Sequence, residues 1–279
     1  MLKIYHIFKK ILFATLLCLF ATVGRTETLQ TNSYIDKSKW FQQTLLPNGD
    51  SWYNNEQQHY TDRLSNASIY EGHLEITARK EIFTDQGVTK QYTSARLNSK
   101  FAFTYGRVEV RAQVPEGQGT WPAIWMLPKD INEVGAYFYL QGYGAQSWPD
   151  SGEIDILEHW GRNQNYAQSA IHSRSSFGNT VNLGGQPVPT MSSQLHTYSV
   201  DWTPEKLTFS VDGNEHYTYQ PSVKNEQTWP FNRDYYLLLN FAIEKDIDPS
   251  FTRKTFFIDY VRIFNQENQL IWSDEFGRI

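Results

Sequence analysis

Glu153, Asp155 and Glu158 stand together in the run Ser151-Gly152-Glu153-Ile154-Asp155-Ile156-Leu157-Glu158-His159-Trp160. Ile154 and Ile156 alternate with Glu153 and Asp155, so on a strand the two acids share one face and the isoleucines the other. Glu158 breaks the parity, and one extra residue in a β-bulge near Ile156-Leu157 restores it. The three carboxylates then line one surface. Like charges placed side by side do not all ionise readily, so at least one keeps a proton near neutral pH. A charged carboxylate beside a protonated one is the equipment for breaking a glycosidic bond. The plainer reading of such a run is a solvated acidic face.

The neighbours weigh against the plainer reading. Four of the nine tryptophans, Trp121, Trp125, Trp148 and Trp160, fall around the acids. Aromatic faces beside carboxylates suit sugar rings, which are apolar on their C–H faces and polar at their rims. Trp121 and Trp125 alternate with Ala123 and so share a strand face, which is either cleft or core. No His-Glu-x-x-His spacing, Gly-x-Ser-x-Gly elbow or phosphate loop offers a competing chemistry.

The elements that position these residues read as strands. Leu74 to Ala78, Gly106 to Val114 and Lys206 to Asp212 alternate with period two, which predicts one buried and one wet face. Tyr198 to Trp202, Tyr235 to Phe241 and Phe256 to Phe264 are further strands, with turns at Glu71-Gly72, Asp212-Gly213-Asn214 and Asn265 to Gln269. So many short antiparallel strands predict an all-β sandwich or jelly roll. The irregular stretch Pro128 to Pro149 is long enough to be functional. One domain from 25 to 279 is the simplest organisation.

The chain has 279 residues, with 40% hydrophobic and 20% charged, enough to bury a core. A net charge of -5 excludes a nucleic-acid binder of the usual basic kind. The one cysteine, Cys18, excludes a disulfide framework and a thiolate zinc cluster. Lys3, Lys9 and Lys10 precede an apolar run from Ile11 to Val23, and Thr22 and Gly24 are small. This reads as a signal peptide over 1–24, with an uncleaved anchor as the alternative. The mature protein is then secreted or periplasmic, without a membrane span, and is expected as a monomer. Asn66-Ala67-Ser68 is a glycosylation sequon.

The chain resembles glycoside hydrolase family 16, in its laminarinase-like branch. The resemblance rests on Glu153-x-Asp155-x-x-Glu158 and Trp121-Pro122-Ala123-Ile124-Trp125. It continues through Asn54-Asn55-Glu56-Gln57, Tyr92-Thr93-Ser94-Ala95-Arg96, Phe103 to Arg107 and Ile258-Asp259-Tyr260-Val261-Arg262. It implies a concave jelly-roll sandwich that cleaves internal β-1,3-glucosidic bonds with retention, in laminarin-type and also mixed β-1,3/1,4-glucan. Glu153 is then the nucleophile, Glu158 the general acid and base, and Asp155 the residue that tunes the pair. Retention implies carboxyl groups about 5–5.5 Å apart. No catalytic cofactor is implied.

For the rest of the cleft, the resemblance makes Asn55 (or Asn54) and Asn240 sugar contacts, and it places Arg96 against a sugar or the nucleophile. Trp148 and Trp160 flank the acids there. His159 and His172 are either satisfied histidines or partners of a sugar and Glu158. The Trp-Ser-Asp-Glu-Phe strand that opens the domain in relatives stands here at 272–276, which implies a strand moved to the C-terminus and docked near Asp259. Many relatives hold a structural calcium ion on the convex side, and the matching residues are Gly72, Asp259 and Glu275, with an ordinary edge salt bridge as the alternative. Asn240 to Asp248 departs from the Gly-Gly and Trp of many laminarinases. The alternatives to a glucanase are a β-glucan-binding module without catalysis and a relative acting on agarose- or carrageenan-type galactans.

Overall fold

The computed structural model describes residues 32–47 and 49–277. The expected signal peptide, with Cys18, lies outside the described residues.

Two sheets form a β-sandwich. Seven strands make the sheet that carries the acids, in the order Trp40–Gln42, Arg96–Phe103, Tyr235–Ile243, Thr120–Pro128, Glu153–Glu158, Tyr166–His172 and Leu183–Pro187. A ten-stranded sheet lies against it, with Gly106–Gln113 between His196–Trp202 and Arg253–Phe264 at its centre. Gly106–Gln113 alternates buried and half-buried as its sequence requires. Between the sheets, Ile124, Met126, Ile154, Leu157, Leu237 and Leu239 meet Val108, Val110, Tyr198, Val200 and Ile258 in one apolar core.

Two details differ from the sequence expectation. Leu207–Val211 is buried at every position, because Thr208 and Ser210 are small enough to be covered, and Thr218 donates a hydrogen bond to Thr208. Gln58–Tyr60 pairs in parallel with Val88–Ser94, an exception in otherwise antiparallel sheets. Asn66 is buried, and its amide donates to the Thr77 carbonyl and the Thr93 hydroxyl at 3.0 Å each, so the sequon side chain serves the fold.

The C-terminal strand Leu270–Asp274 pairs antiparallel with Arg253–Phe264 through the Asn265–Gln269 turn, setting Asp274 opposite Val261. The Trp40 indole donates to the buried Asp274 carboxylate at 2.8 Å, and Lys39 donates to the Ser273 carbonyl at 2.8 Å. Trp272 stacks on Phe101 with ring centroids 6.0 Å apart. The moved strand therefore ties the end of the chain to the first strand of the other sheet.

Candidate active site

The acidic strand starts at a turn that tolerates only glycine. Gly152 has φ 82°, and a Cβ there would meet the Tyr235 hydroxyl at 2.3 Å. That hydroxyl donates to the Ser151 carbonyl at 2.9 Å and fixes the turn. Along the strand, Ala123 pairs with Glu158 and Ile124 with Leu157, but Trp125 pairs with Asp155. Ile156 is thus the extra residue, and the register to Tyr166–His172 shifts at the same place. Ile154, Ile156 and Leu157 enter the core, while Glu153, Asp155 and Glu158 line one cleft of about 550 Å³.

Trp121, Trp125, Trp148 and Trp160 all line that cleft. Trp121 and Trp160 stack with centroids 5.7 Å apart. The Trp148 indole donates to Glu153 Oε2 at 2.8 Å. His172 also lines the cleft, with Nε2 3.0 Å from Asp155 Oδ2 and 3.9 Å from Glu153 Oε1. Its Nδ1 is 3.1 Å from the Thr180 hydroxyl.

The electrostatics follow from crowding. Burial first, and then the charge of Asp155, push Glu153 up to about 8, against the pull of His172 and the Trp148 N–H. Burial raises Glu158 well above the ordinary carboxylate range, and both Asp155 and Glu153 add to it. Burial alone would lower His172, but the hydrogen bond to Asp155 and the surrounding acids carry it to about 10. The cluster therefore holds an imidazolium and keeps a carboxyl proton. Each glutamate has an indole that favours its anion, Trp148 for Glu153 and Trp121 for Glu158, but Glu158 feels the charges of both Asp155 and Glu153, so Glu158 is the better seat for that proton.

Several expected contacts lie elsewhere. His159 is fully buried and outside the cleft lining. The bulge turns Glu158 into the cleft and so turns its neighbour away, and burial lowers His159 to about 4, leaving it neutral. Asn55 also misses the lining. Asn54 and Asn55 both take φ 57° in a tight turn that presents Tyr53, Asn54 and Glu56 to the cleft instead. Asn240 lines the cleft, but its amide is spent inside the protein: Oδ1 accepts from the Trp125 indole at 2.7 Å, and Nδ2 donates to the Tyr60 hydroxyl at 2.9 Å. It orients Trp125. Arg96 lines the cleft as expected, and two acids the sequence reading left unassigned, Glu56 and Glu133, line it too. The signals for them were the Asn-Asn-Glu-Gln run and the long irregular stretch that carries Glu133.

Two groups bear on metals. Glu153, Asp155 and His172 each place a ligand atom within 4.8 Å of the others. An ion there would sit on the reacting groups and block them. The carboxylates matched to calcium on the other sheet are met by cations. Arg111 donates to Asp259 at 2.9 Å, and His73 Nε2 lies 3.1 Å from its other oxygen. Arg262 forks onto Glu275 at 2.8 and 3.0 Å. Gly72 remains in its turn at φ 76°. These ion pairs are the contacts that the salt-bridge alternative expects, and they do not confirm a calcium ion.

The sequence profile of glycosyl hydrolases family 16 matches residues 50–261. The chain is similar to a beta-glucanase of Rhodothermus marinus, at 36% identity over 77% of this chain and 76% of the relative. It is also similar to a glucan endo-1,3-beta-glucosidase of Cryptopygus antarcticus, at 32% identity over 76% of this chain and 82% of the relative. Among solved structures, LamA of Zobellia galactanivorans in complex with laminaritriose and laminaritetraose superposes with a TM-score of 0.76. The identity is 44%, covering 84% of this chain and 94% of that one.

Proposed function

Because the chain belongs to glycosyl hydrolase family 16, we propose that it is a retaining endo-β-1,3-glucanase, acting on laminarin-type glucan and also on mixed β-1,3/1,4-glucan. The observation that carries this reading is the bulge at Ile156, which brings three carboxylates to one face of an open, tryptophan-lined cleft. Glu153 attacks the anomeric carbon, and the glycosidic C–O bond breaks as Glu158 gives its proton to the departing oxygen. Glu158, now charged, takes a proton from water, whose oxygen attacks the same carbon and expels Glu153. Asp155 lies between them, held by protonated His172, and tunes both. The chemistry needs no catalytic cofactor.

The cleft charge favours a neutral glucan over a sulfated galactan. Glu56, Glu133, Glu153, Asp155 and Glu158 line it against Arg96 and His172, and Arg96 is already paired with Glu133. An anionic polymer would meet mostly like charge. A binding module without catalysis has no need of two glutamates held above their ordinary range. The basic start and apolar run at 1–24 support export of a catalytic domain over 25–279, which is proposed to act as a monomer. Among the described residues, no helix is long and apolar enough to cross a membrane.

The test is a panel of laminarin, lichenan, agarose and carrageenan, with new reducing ends as the readout. Laminarin is expected to be cut fastest, lichenan next, and the galactans not at all. Glu153→Gln is expected to lose more than ~10⁴-fold in kcat while still folding. Laminarin binding by the wild type without new reducing ends would overturn the reading, as would full activity in that variant.

A further inference from the structure

Across the sheet from the acids, the cleft floor holds a guanidinium in an aromatic clamp. Arg96 is 2% exposed, with its guanidinium carbon 4.6 Å from the Trp125 ring centroid and 5.3 Å from that of Trp52. In register, Arg96 faces Asn240, Asn240 faces Ala123, and Ala123 faces Glu158. Three strand spacings, or about 14 Å, separate the backbones of Arg96 and Glu158, so Arg96 enters the cleft floor from the side opposite the acids.

Two of its nitrogens are spent within the protein. Nε donates to Gln43 at 3.1 Å and Nη2 to Glu133 at 2.5 Å. Nη1 makes no hydrogen bond among the described residues, and Arg96 lines the cleft. Glu133 is 3% exposed, and the Tyr236 hydroxyl approaches its second oxygen at 3.5 Å. A buried ion pair seldom adds stability over an apolar pair of the same size, so its place on the floor of a substrate cleft points to another use. The proposed reaction uses neither residue.

We propose that Glu133 is a positioning residue for substrate: it locks Arg96 so that Nη1 meets the hydroxyls of a sugar unit bound on the Arg96 side of Trp125, away from the acidic strand. This rests on the glucanase reading and names a specificity element within it. The long segment between Pro128 and Pro149 thereby acts on the cleft through the Glu133 carboxylate as well as through Trp148. An Arg96 without that partner still carries its charge but is no longer held in one direction.

The experiment compares Glu133→Gln and Glu133→Ala with the parent on laminarioligosaccharides of increasing length. Affinity is also read by calorimetry in a Glu153→Gln background, and Tm is recorded throughout. Glu133→Gln keeps an acceptor for Nη2, which protects the fold. The expected result is a KM raised about tenfold, the effect of losing one charge-assisted hydrogen bond, with kcat within about twofold. It appears only for chains long enough to reach Arg96. Affinity in the inactive background falls by the same factor, and adding Arg96→Lys brings little further loss, since the two act as one unit. An equal KM change for short and long chains overturns the proposal. So does a lower kcat or shifted pH profile at unchanged KM, or a lower Tm with unaltered kinetics and affinity. Failure of the parent to cut laminarin overturns the glucanase reading, whereas the ratio of variant to parent affinity still decides the role of Glu133.

Discussion

The two sheets carry acid clusters of opposite design. On the cleft sheet, among the described residues, His172 pairs with Glu153 and Asp155, and its charge also reaches Glu158. On the other sheet, Asp259 and Glu275 are served by Arg111, His73 and Arg262. Where cations match the acids, the carboxylates are ordinary structural ion pairs. Where they do not, burial and mutual repulsion lift two glutamates out of their usual range. Unmatched charge costs stability, and at the cleft that cost comes with a stored proton that the chemistry uses.

Breaking the unmatched cluster gives the largest effects. After the loss expected for Glu153→Gln, the next is Glu158→Gln, which removes the proton donor and is expected to lower kcat about 10²–10⁴-fold on laminarin. The same change should stabilise the protein in one direction of pH. A carboxyl raised in the folded state contributes stability that is complete below its unfolded pKa and is lost as pH rises through the folded value. Glu158→Gln is therefore expected to melt a few degrees above the parent at pH 8 and level with it at pH 4, by calorimetric scans at both. A variant that melts below the parent at pH 8 would mean that Glu158 is not under charge strain.

A smaller change separates the two kinds of neighbour inside the cluster. His172 lowers both glutamates and Asp155 raises both. Removing the imidazolium with His172→Gln is expected to move both limbs of the kcat/KM profile up by about one pH unit, and Asp155→Asn to move them down. Equal shifts in one direction would show that the cluster responds to packing rather than to charge.

The contrast between the sheets also marks what the sequence made legible. The acidic strand was readable because its alternation broke at one residue, and a strand has one economical repair for that. The same parity argument, carried one residue further, turns His159 to the core as soon as Glu158 faces the cleft. The period of Thr120–Pro128 likewise placed Trp121 and Trp125 on one face. The tight turn that presents Asn54 rather than Asn55 depends on two successive positive φ angles, which side-chain type alone does not fix. The Arg96 clamp was out of reach for another reason. Its partners Gln43 and Glu133 lie 53 and 37 residues away in sequence, and those of Asn240 lie 115 and 180 away. No local pattern encodes such meetings; they exist only once the sheet has formed.

The matched cluster should answer weakly to every one of these probes. Arg262 and Glu275 are about one-third exposed, with side chains at 37% and 32%, so water screens much of their attraction. An exposed pair of this kind contributes about 0.2–1 kcal/mol. Glu275→Gln is expected to lower Tm by one or two degrees and leave kcat and KM on laminarin untouched. Because guanidinium and imidazole groups already balance Asp259 and Glu275, a calcium chelator is expected to leave the parent Tm unchanged, and added calcium to leave it unchanged as well. If the chelator lowered Tm by several degrees and calcium restored it, the matched cluster would be a cation site in which His73 and Arg262 give way. The two sheets would then differ in which cation answers the acids, and the cleft would remain the place where none does so fully.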